Sequence, residues 1–327
     1  MAVLEALATT LKNREREMGD AILNHNALTM FLLKNGKMAD FRGGEKIYET
    51  LEIAENDTAA WYTQYGTFTL GQPNEVITAA EYDVAQLGGF AAISGLEESK
   101  NRGKYAAVEL AGARKNVLKK TLQNKLAASV FNDGTEANAI DGLQFLVADD
   151  PTAAGTPAGI NQVTQTNWQN QTSGDVAITA ANIVDEMQKM DIALRRGQDA
   201  PDLWVANAVA FQMYWKNVSD IQRVADKGTA ESAAGLGFKM LKFNGQDFIF
   251  DGNCPDGTGS GAVTKARIYA LNTDTMKLRC DPSRRFAVGD VQRIQNADYK
   301  ACPVWFIGAL TTNDRARNGV IYHSAAV

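Results

Sequence analysis

The stretch from Lys104 to Phe131 constrains this chain more than any other. Leu118, Leu122, Leu126 and Val130 recur at a four-residue spacing, and Val108, Leu110 and Ala111 carry the apolar stripe toward the N-terminus. Lys104, Glu109, Lys115, Lys119, Lys120 and Lys125 occupy most of the other faces. That pattern predicts one long amphipathic helix, stopped at Asn132-Asp133-Gly134, where Asn and Gly tolerate the left-handed backbone that ends helices. At the usual rise per residue it would span roughly 40 Å, about the width of a domain. A helix of this kind is a strut, and its single stripe needs a broad surface to cover.

The C-terminal third supplies such a surface. Met276–Cys280, Val291–Tyr299, Pro303–Leu310 and Gly319–Tyr322 read as successive strands, with turns at Asp281-Pro282, Gly289-Asp290 and Asn313-Asp314. A lone sheet needs cover in water, and the long helix is the candidate. Upstream, residues 2 to 35 carry a helical period through Leu4, Leu7, Leu11, Met18, Ile22 and Leu23, ending at Gly36. Ile47–Ala54 alternates as a strand, and a second extended stretch runs from Val76 to Ile93. Pairing of Ile47–Ala54 with Phe90–Ile93 would make the base of a long hairpin. The intervening loop holds Trp61, Tyr62, Tyr65 and Phe68. Loops of that length are uncommon in compact domains unless they have a task. The aromatics either hold a surface excursion down on its own subunit or dock it on another one.

Between these parts, Ile140–Val147 is a short apolar strand candidate, and the Pro-, Gly-, Thr- and Asn-rich run Asp149–Gly174 suggests a boundary. An α/β unit follows. Thr179 is placed to cap a helix through Ile183, Met187, Met190 and Leu194, ended by Arg195-Arg196-Gly197; Asp202–Ala206 is a buried strand; Asn207 caps a second helix. Asn244-Gly245 between KMLKF and QDFIF is the preferred pair for a type I′ hairpin.

Chemistry finds few parts. The loop DGNCPDGTGSGAVTK at 251–265 fails as a calcium loop, a phosphate loop and a nucleophile elbow, through Pro255, the missing Gly-Lys-Ser/Thr and Thr258. His25 and His323 are the only histidines and lie near opposite ends, and Cys254, Cys280 and Cys302 form no CxxC pair. Glu97-Glu98 and Asp149-Asp150 read as solvated neighbours. No catalytic residue, cofactor site or metal site is expected. The net charge of −5 argues against a nonspecific nucleic-acid glove. The N-terminus lacks the basic start of a signal peptide and no run is long enough to cross a bilayer, so a reducing, intracellular place of synthesis fits best.

Taken together, the parts resemble the major capsid proteins of tailed double-stranded-DNA bacteriophages, the Hong Kong 97-type fold. The resemblance rests on ISGLEESKNRGKYAAVELAGARKNVLKKTLQNKLAASVFNDG at the strut, RIYALNTDTMKLRCDP, and CPVWFIGALTTNDRARNGVIYHSA, in that order. It implies an α+β chain with an N-terminal arm (1–44), an extended loop (45–93), a peripheral domain that begins with the spine helix (94–174), an axial domain (175–271) and a return to the peripheral domain (272–327). It implies pentamers and hexamers tiling an icosahedral shell around double-stranded DNA contacted nonspecifically, in a virion assembled in the bacterial cytoplasm. The implied partners are a portal and a separate scaffolding protein, with room for a decoration protein. Under this resemblance Trp61, Tyr62, Tyr65 and Phe68 contact the neighbouring subunit, and the loop carrying Gly252, Asp256, Gly259 and Gly261 points to the capsomer centre. Two other readings stand beside it: an encapsulin-like nanocompartment shell, and an enzyme built on the α/β unit, which would need a pocket around Asp202 or Asn207.

Overall fold

A computed structural model describes residues 26–34, 37–41, 43–54, 61–66, 77–101, 110–197, 199–222, 241–257, 265–293 and 297–324. Most of the N-terminal helical pattern therefore lies outside the described residues; its last part is helix α1 (Ala27–Lys34), followed by the short strand β1 (Met38–Asp40). Helix α1 is capped from far along the chain, where the Leu28 N–H donates to Asp251 Oδ2 at 2.8 Å.

Strands β2 (Lys46–Glu52) and β3 (Ile77–Asp83) form a two-stranded antiparallel ribbon, registered from Lys46 against Asp83 to Glu52 against Ile77. The expected pairing of Ile47–Ala54 with Phe90–Ile93 is thus corrected. The second extended stretch divides at Val84, and β4 (Ala85–Ser94) leaves the ribbon to pair with Tyr299–Gly308. Packing decides this. A Cβ on Gly89 would lie 2.8 Å from Leu118 Cδ1, so this bare glycine lets the strand lie close under the long helix.

Ser94 then caps the short helix α2 (Gly95–Lys100) in a full capping box with Glu97. The long helix is α3 (Leu110–Ser129); residues 104–109 of the expected strut are outside the described set. It ends in short-range turns, with Phe131 N–H donating to the Ala128 carbonyl, and Gly134 at φ 82° completes the reversal. Leu122, Leu126 and Val130 are buried, and Leu118 and Leu122 lie over β4. Ile140–Val147 is not a strand. Its centre is one helical turn, α4 (Leu143–Leu146), which buries Leu143 and Leu146 and is anchored by Leu143 N–H to the Val130 carbonyl at 2.7 Å. A short apolar run carries no periodicity that separates the two outcomes.

The α/β unit follows as β5 (Gln171–Val176), α5 (Ile183–Leu194), β6 (Leu203–Ala206), α6 (Ala208–Gln222), β7 (Leu241–Phe243), β8 (Gln246–Phe250) and β9 (Arg267–Leu271). Asn207 caps α6 as expected, its Oδ1 accepting from Ala210 N–H. Thr179 does not cap α5 directly; it opens the preceding turn by donating to Asn182 Oδ1. Gly197 does not end α5 either, since Arg195 is already extended and Gly197 serves the tight turn that joins Arg196 to Asp199. Asn244 and Gly245 both have positive φ, the type I′ signature.

The remaining strands are β10 (Met276–Cys280), β11 (Ala287–Val288), β12 (Gln292–Arg293), β13 (Tyr299–Thr312) and β14 (Gly319–His323). They do not share one sheet. The first sheet runs β1-β10-β13, with β4, β11 and β12 also on β13; the second runs β5-β14-β9-β6-β8-β7. The segment 272–327 is therefore divided, because β14 crosses to lie between β5 and β9. Strands β6 and β9 are buried at every residue. One face, with Trp204, Phe248 and Ile268, packs under Met187, Met190 and Tyr214 of the two helices; the other, with Val205 and Tyr269, joins the core of Phe131, Leu126 and Leu143.

Two arginines with no exposed surface pin this junction. Arg267 forms a bidentate pair with Asp149 at 2.8 and 2.6 Å, and Tyr322 lies against its guanidinium. Arg315 has neutral hydrogen-bond acceptors instead: the Leu146 carbonyl at 2.5 Å, Gln162 Oε1 and Asn170 Oδ1, over the Trp168 ring. Burial pushes its pKa down to about 10, so it stays charged at neutral pH. The adjacent carboxylates are not merely solvated. Asp149 serves Arg267, Asp150 holds a turn with Thr152, Glu97 holds Arg114 in two hydrogen bonds, and Glu98 pairs with Lys300.

Candidate assembly surfaces

The β2–β3 ribbon is fixed at its base. Glu49 accepts from Arg279 Nε at 2.6 Å and from Thr311 Oγ1. The Tyr82 hydroxyl donates to the Thr312 carbonyl at 2.5 Å and accepts from Thr312 N–H. Ile47, Leu51, Ala80 and Tyr82 are buried in the main core. Residues 61–66, which lie between β2 and β3 in the sequence, form a turn closed by Gly66 N–H on the Thr63 carbonyl. There Trp61, Tyr62 and Tyr65 are 105%, 62% and 91% exposed. Phe68, the fourth expected contact residue, lies outside the described residues. Large aromatics exposed together in one short turn have the composition of an interface core rather than of ordinary surface.

Gly252 and Asp256 sit on the loop after β8, while Gly259 and Gly261 are outside the described residues. The near part of this loop is tightly held. Asp256 accepts from Asn207 Nδ2, Asn253 bonds Asn26 Oδ1, and Asn26 in turn bonds Asn124 on α3. A Cβ on Gly257 would sit 2.8 Å from the His323 carbonyl, so only glycine fits that crossing. His323 Nδ1 accepts from Ile178 N–H, and its ring closes the same end of the sheet.

A groove of about 740 Å³ opens beside the ribbon base, lined by Leu51, Ile53, Ile77, Trp168, Arg196 and Arg317 among others. Asp202 and Asn207 do not line it. Asp202 is occupied with Thr273 N–H and Oγ1, and Asn207 with the α6 N-terminus and the Lys265 carbonyl. Among the described residues no group of three or more His, Cys, Asp or Glu side chains could hold a metal, and no helix is long and apolar enough to cross a membrane.

Sequence reasoning missed one surface. On the first sheet, β4 and β13 pair with Gly89 opposite Val304 and Phe90 opposite Pro303. Gly89 faces α3, so the alternating residues Phe90, Pro303 and Trp305 lie on the other side. Phe90 is 66% exposed and Trp305 half-buried, with Arg284 stacked 5.3 Å from the indole. The signal was present: CPVWFIGAL is apolar at both parities, although among the described residues α3 packs on one face of the β4–β13 pair.

No family model matches the sequence, and no curated protein matches it. Solved structures do. The chain is similar to the capsid asymmetric unit of cyanophage A-1(L), with TM-score 0.68 and 14% identity over 96% of this chain and 97% of that one. It is similar to the capsid of a native GTA particle, with TM-score 0.65 and 11% identity over 96% and 95% of the two chains. It is also similar to the SrpI encapsulin of Synechococcus elongatus PCC 7942, with TM-score 0.58 and 11% identity over 98% and 95%. At these identities the likeness establishes the fold: the chain has the α+β Hong Kong 97-type capsid fold expected from its sequence.

Proposed function

We propose that this protein is a major capsid protein, a structural subunit that assembles through hexamers and pentamers into the icosahedral shell of a tailed bacteriophage. The observation that carries this reading is the anchored ribbon displaying Trp61, Tyr62 and Tyr65 to solvent, in a chain similar to phage capsid subunits over nearly its whole length. In this reading the ribbon is the extended loop, the first sheet with α3 is the peripheral domain, and the second sheet with α5 and α6 is the axial domain. The loop of Gly252 and Asp256 is directed to the capsomer centre. Portal, separate scaffolding protein, a decoration protein and nonspecifically held DNA are the partners, and assembly takes place in the host cytoplasm. Electron microscopy of the purified protein, with and without a scaffolding protein, should show capsomers or closed shells. A protein that stays monomeric at high micromolar concentration under both conditions overturns the proposal.

The likeness to the SrpI encapsulin supports a second reading, a nanocompartment shell. Particles purified from the native source separate the two: packaged DNA supports the virion, and an enclosed protein with no DNA supports the compartment.

A further inference from the structure

We infer that Asn244 is a self-modification site. Its side chain closes onto the backbone nitrogen of Gly245, the cyclic imide opens to Asp or isoAsp, and the new carboxylate stands against the buried Asp191 on α5. The reaction is internal to one chain and is independent of the shell reading.

The described residues hold two Asn-Gly pairs, and the fold treats them in opposite ways. Asn318 is fully buried; its Nδ2 donates to Thr275 Oγ1 and the Asp314 carbonyl, and its Oδ1 accepts from the Asn272 N–H. Gly319 starts β14 between β5 and β9, and a Cβ there would fall 2.5 Å from Met190 Sδ, so no space is left for a ring to close. Asn244 is exposed, at φ 49°, in the turn of the β7–β8 hairpin. The register pairs Phe243 with Gln246, which leaves Gly245 and its N–H outside the ladder. A Cβ on Gly245 would meet nothing within 4 Å, and β7 is a three-residue strand at the end of its sheet. A short edge hairpin opens locally at less cost than a strand held on both sides, so Asn244 reaches the geometry of ring closure and Asn318 does not.

The chemistry balances with water alone. The Gly245 nitrogen gives up its proton, forms a C–N bond to Asn244 Cγ, and expels the side-chain nitrogen as ammonia, which takes up that proton. Water then opens the imide at one carbonyl or the other, giving Asp, or isoAsp with the backbone rerouted through the side chain. What changes is a contact with α5. Asn244 Nδ2 donates to Asp191 Oδ2 at 3.2 Å, Gln246 Nε2 donates to Asp191 Oδ1 at 3.3 Å, and Arg195 donates to Oδ2 through Nε and Nη2 at 3.2 and 2.8 Å. Asp191 is only 2% exposed. Conversion replaces one of its donors by a second carboxylate, with Arg195 left to face both. The hairpin's other charges, Lys242 and Asp247, stand opposite each other in the ladder. The modified turn thus loses its tie to α5 and is pushed away from it by like charge.

The test is incubation of the folded, full-length protein at mildly acid and mildly alkaline pH, followed by peptide mass spectrometry, with isoaspartyl methyltransferase as the probe for the rerouted product. Protein held in denaturant is the reference, because there both Asn-Gly pairs are equally open. In the folded protein position 244 should convert, faster in alkali because the attacking nitrogen must lose its proton, while position 318 converts only in denaturant. Asn244→Gln should abolish the conversion, since the longer side chain closes a ring far more slowly. Asn244→Asp, which carries one product permanently, should lower Tm by a few degrees, and the same substitution should cost little in an Asp191→Asn background. A folded protein whose Asn244 stays intact while the denatured reference converts, or converts no faster than Asn318, overturns the inference. A Tm that Asn244→Asp leaves unchanged also overturns it, because no charge would then be set against Asp191.

Discussion

The long helix and the segment that joins the ribbon strands both carry large apolar residues, yet their exposures are opposite. On α3, Leu122, Leu126 and Val130 are at most 4% exposed and lie in the core with β4 and the second sheet. On the arm, Trp61 and Tyr65 are almost wholly in water. The difference lies in what faces each element. The helix meets β4 with its bare Gly89 within its own chain, whereas the side chains of Trp61 and Tyr65 meet solvent. The first is a folding element, and the second leaves large apolar side chains exposed in the folded subunit.

The largest expected effect tests the helix side. Leu122→Asp places a carboxylate against β4 with no partner, which costs on the order of 3–5 kcal/mol. Expression should yield little folded protein by circular dichroism; a variant that folds and assembles normally would break the distinction between strut and arm. Next is Arg315→Met, which leaves the Leu146 carbonyl and the Gln162 and Asn170 side chains without their donor. A loss of about 3 kcal/mol in denaturant unfolding is expected, and a change under about 0.5 kcal/mol would remove Arg315 from the junction.

Gly89→Ala is milder, because the clashing atom is the end of a Leu118 side chain that can shift. About 1 kcal/mol is expected, read as a few degrees in Tm. Smaller still is the acid response of the Glu97–Arg114 latch. The Arg114 hydrogen bonds hold the Glu97 carboxyl below its ordinary range. A depressed acid contributes stability that is present above the unfolded pKa and lost as pH falls through the folded one. Glu97→Gln should therefore flatten part of the acid limb of stability below about pH 4.5, by less than about 1 kcal/mol since the pair is partly exposed. Equal acid limbs in both proteins would show that the latch contributes nothing. Smallest in folding, and the sharpest contrast with Leu122, is Trp61→Ala. Subunit stability should stay within about 0.5 kcal/mol while the yield of intact shells falls strongly by electron microscopy. A Trp61→Ala subunit that unfolds as Leu122→Asp does would erase the comparison.

Periodic and capped elements are legible in the chain itself. The 3.6-residue stripe of Leu118 to Val130, the Asn244-Gly245 turn, the Asn207 cap and the strand Leu203–Ala206 are all local signals, set by backbone geometry and short-range hydrogen bonds. The exposed tip is only half legible. Composition allows two outcomes for Trp61, Tyr62 and Tyr65, and the folded subunit adds only their exposure. The surface of Phe90 and Trp305 is hidden, because a strand that is apolar at both parities looks simply buried until its neighbours are known.

The sequence by itself determined the long helix, the two helices of the α/β unit, the Asn244-Gly245 turn and the resemblance that points to the fold. Tertiary structure decided three things: that β4 leaves the ribbon for β13, that β14 crosses into the second sheet, and that Ile140–Val147 coils instead of extending. The reason is common to all three. Strand partners and short apolar runs are chosen by long-range fit, here the bare Gly89 under Leu118 and the Leu143 N–H on the Val130 carbonyl, and such fit leaves no period in the chain.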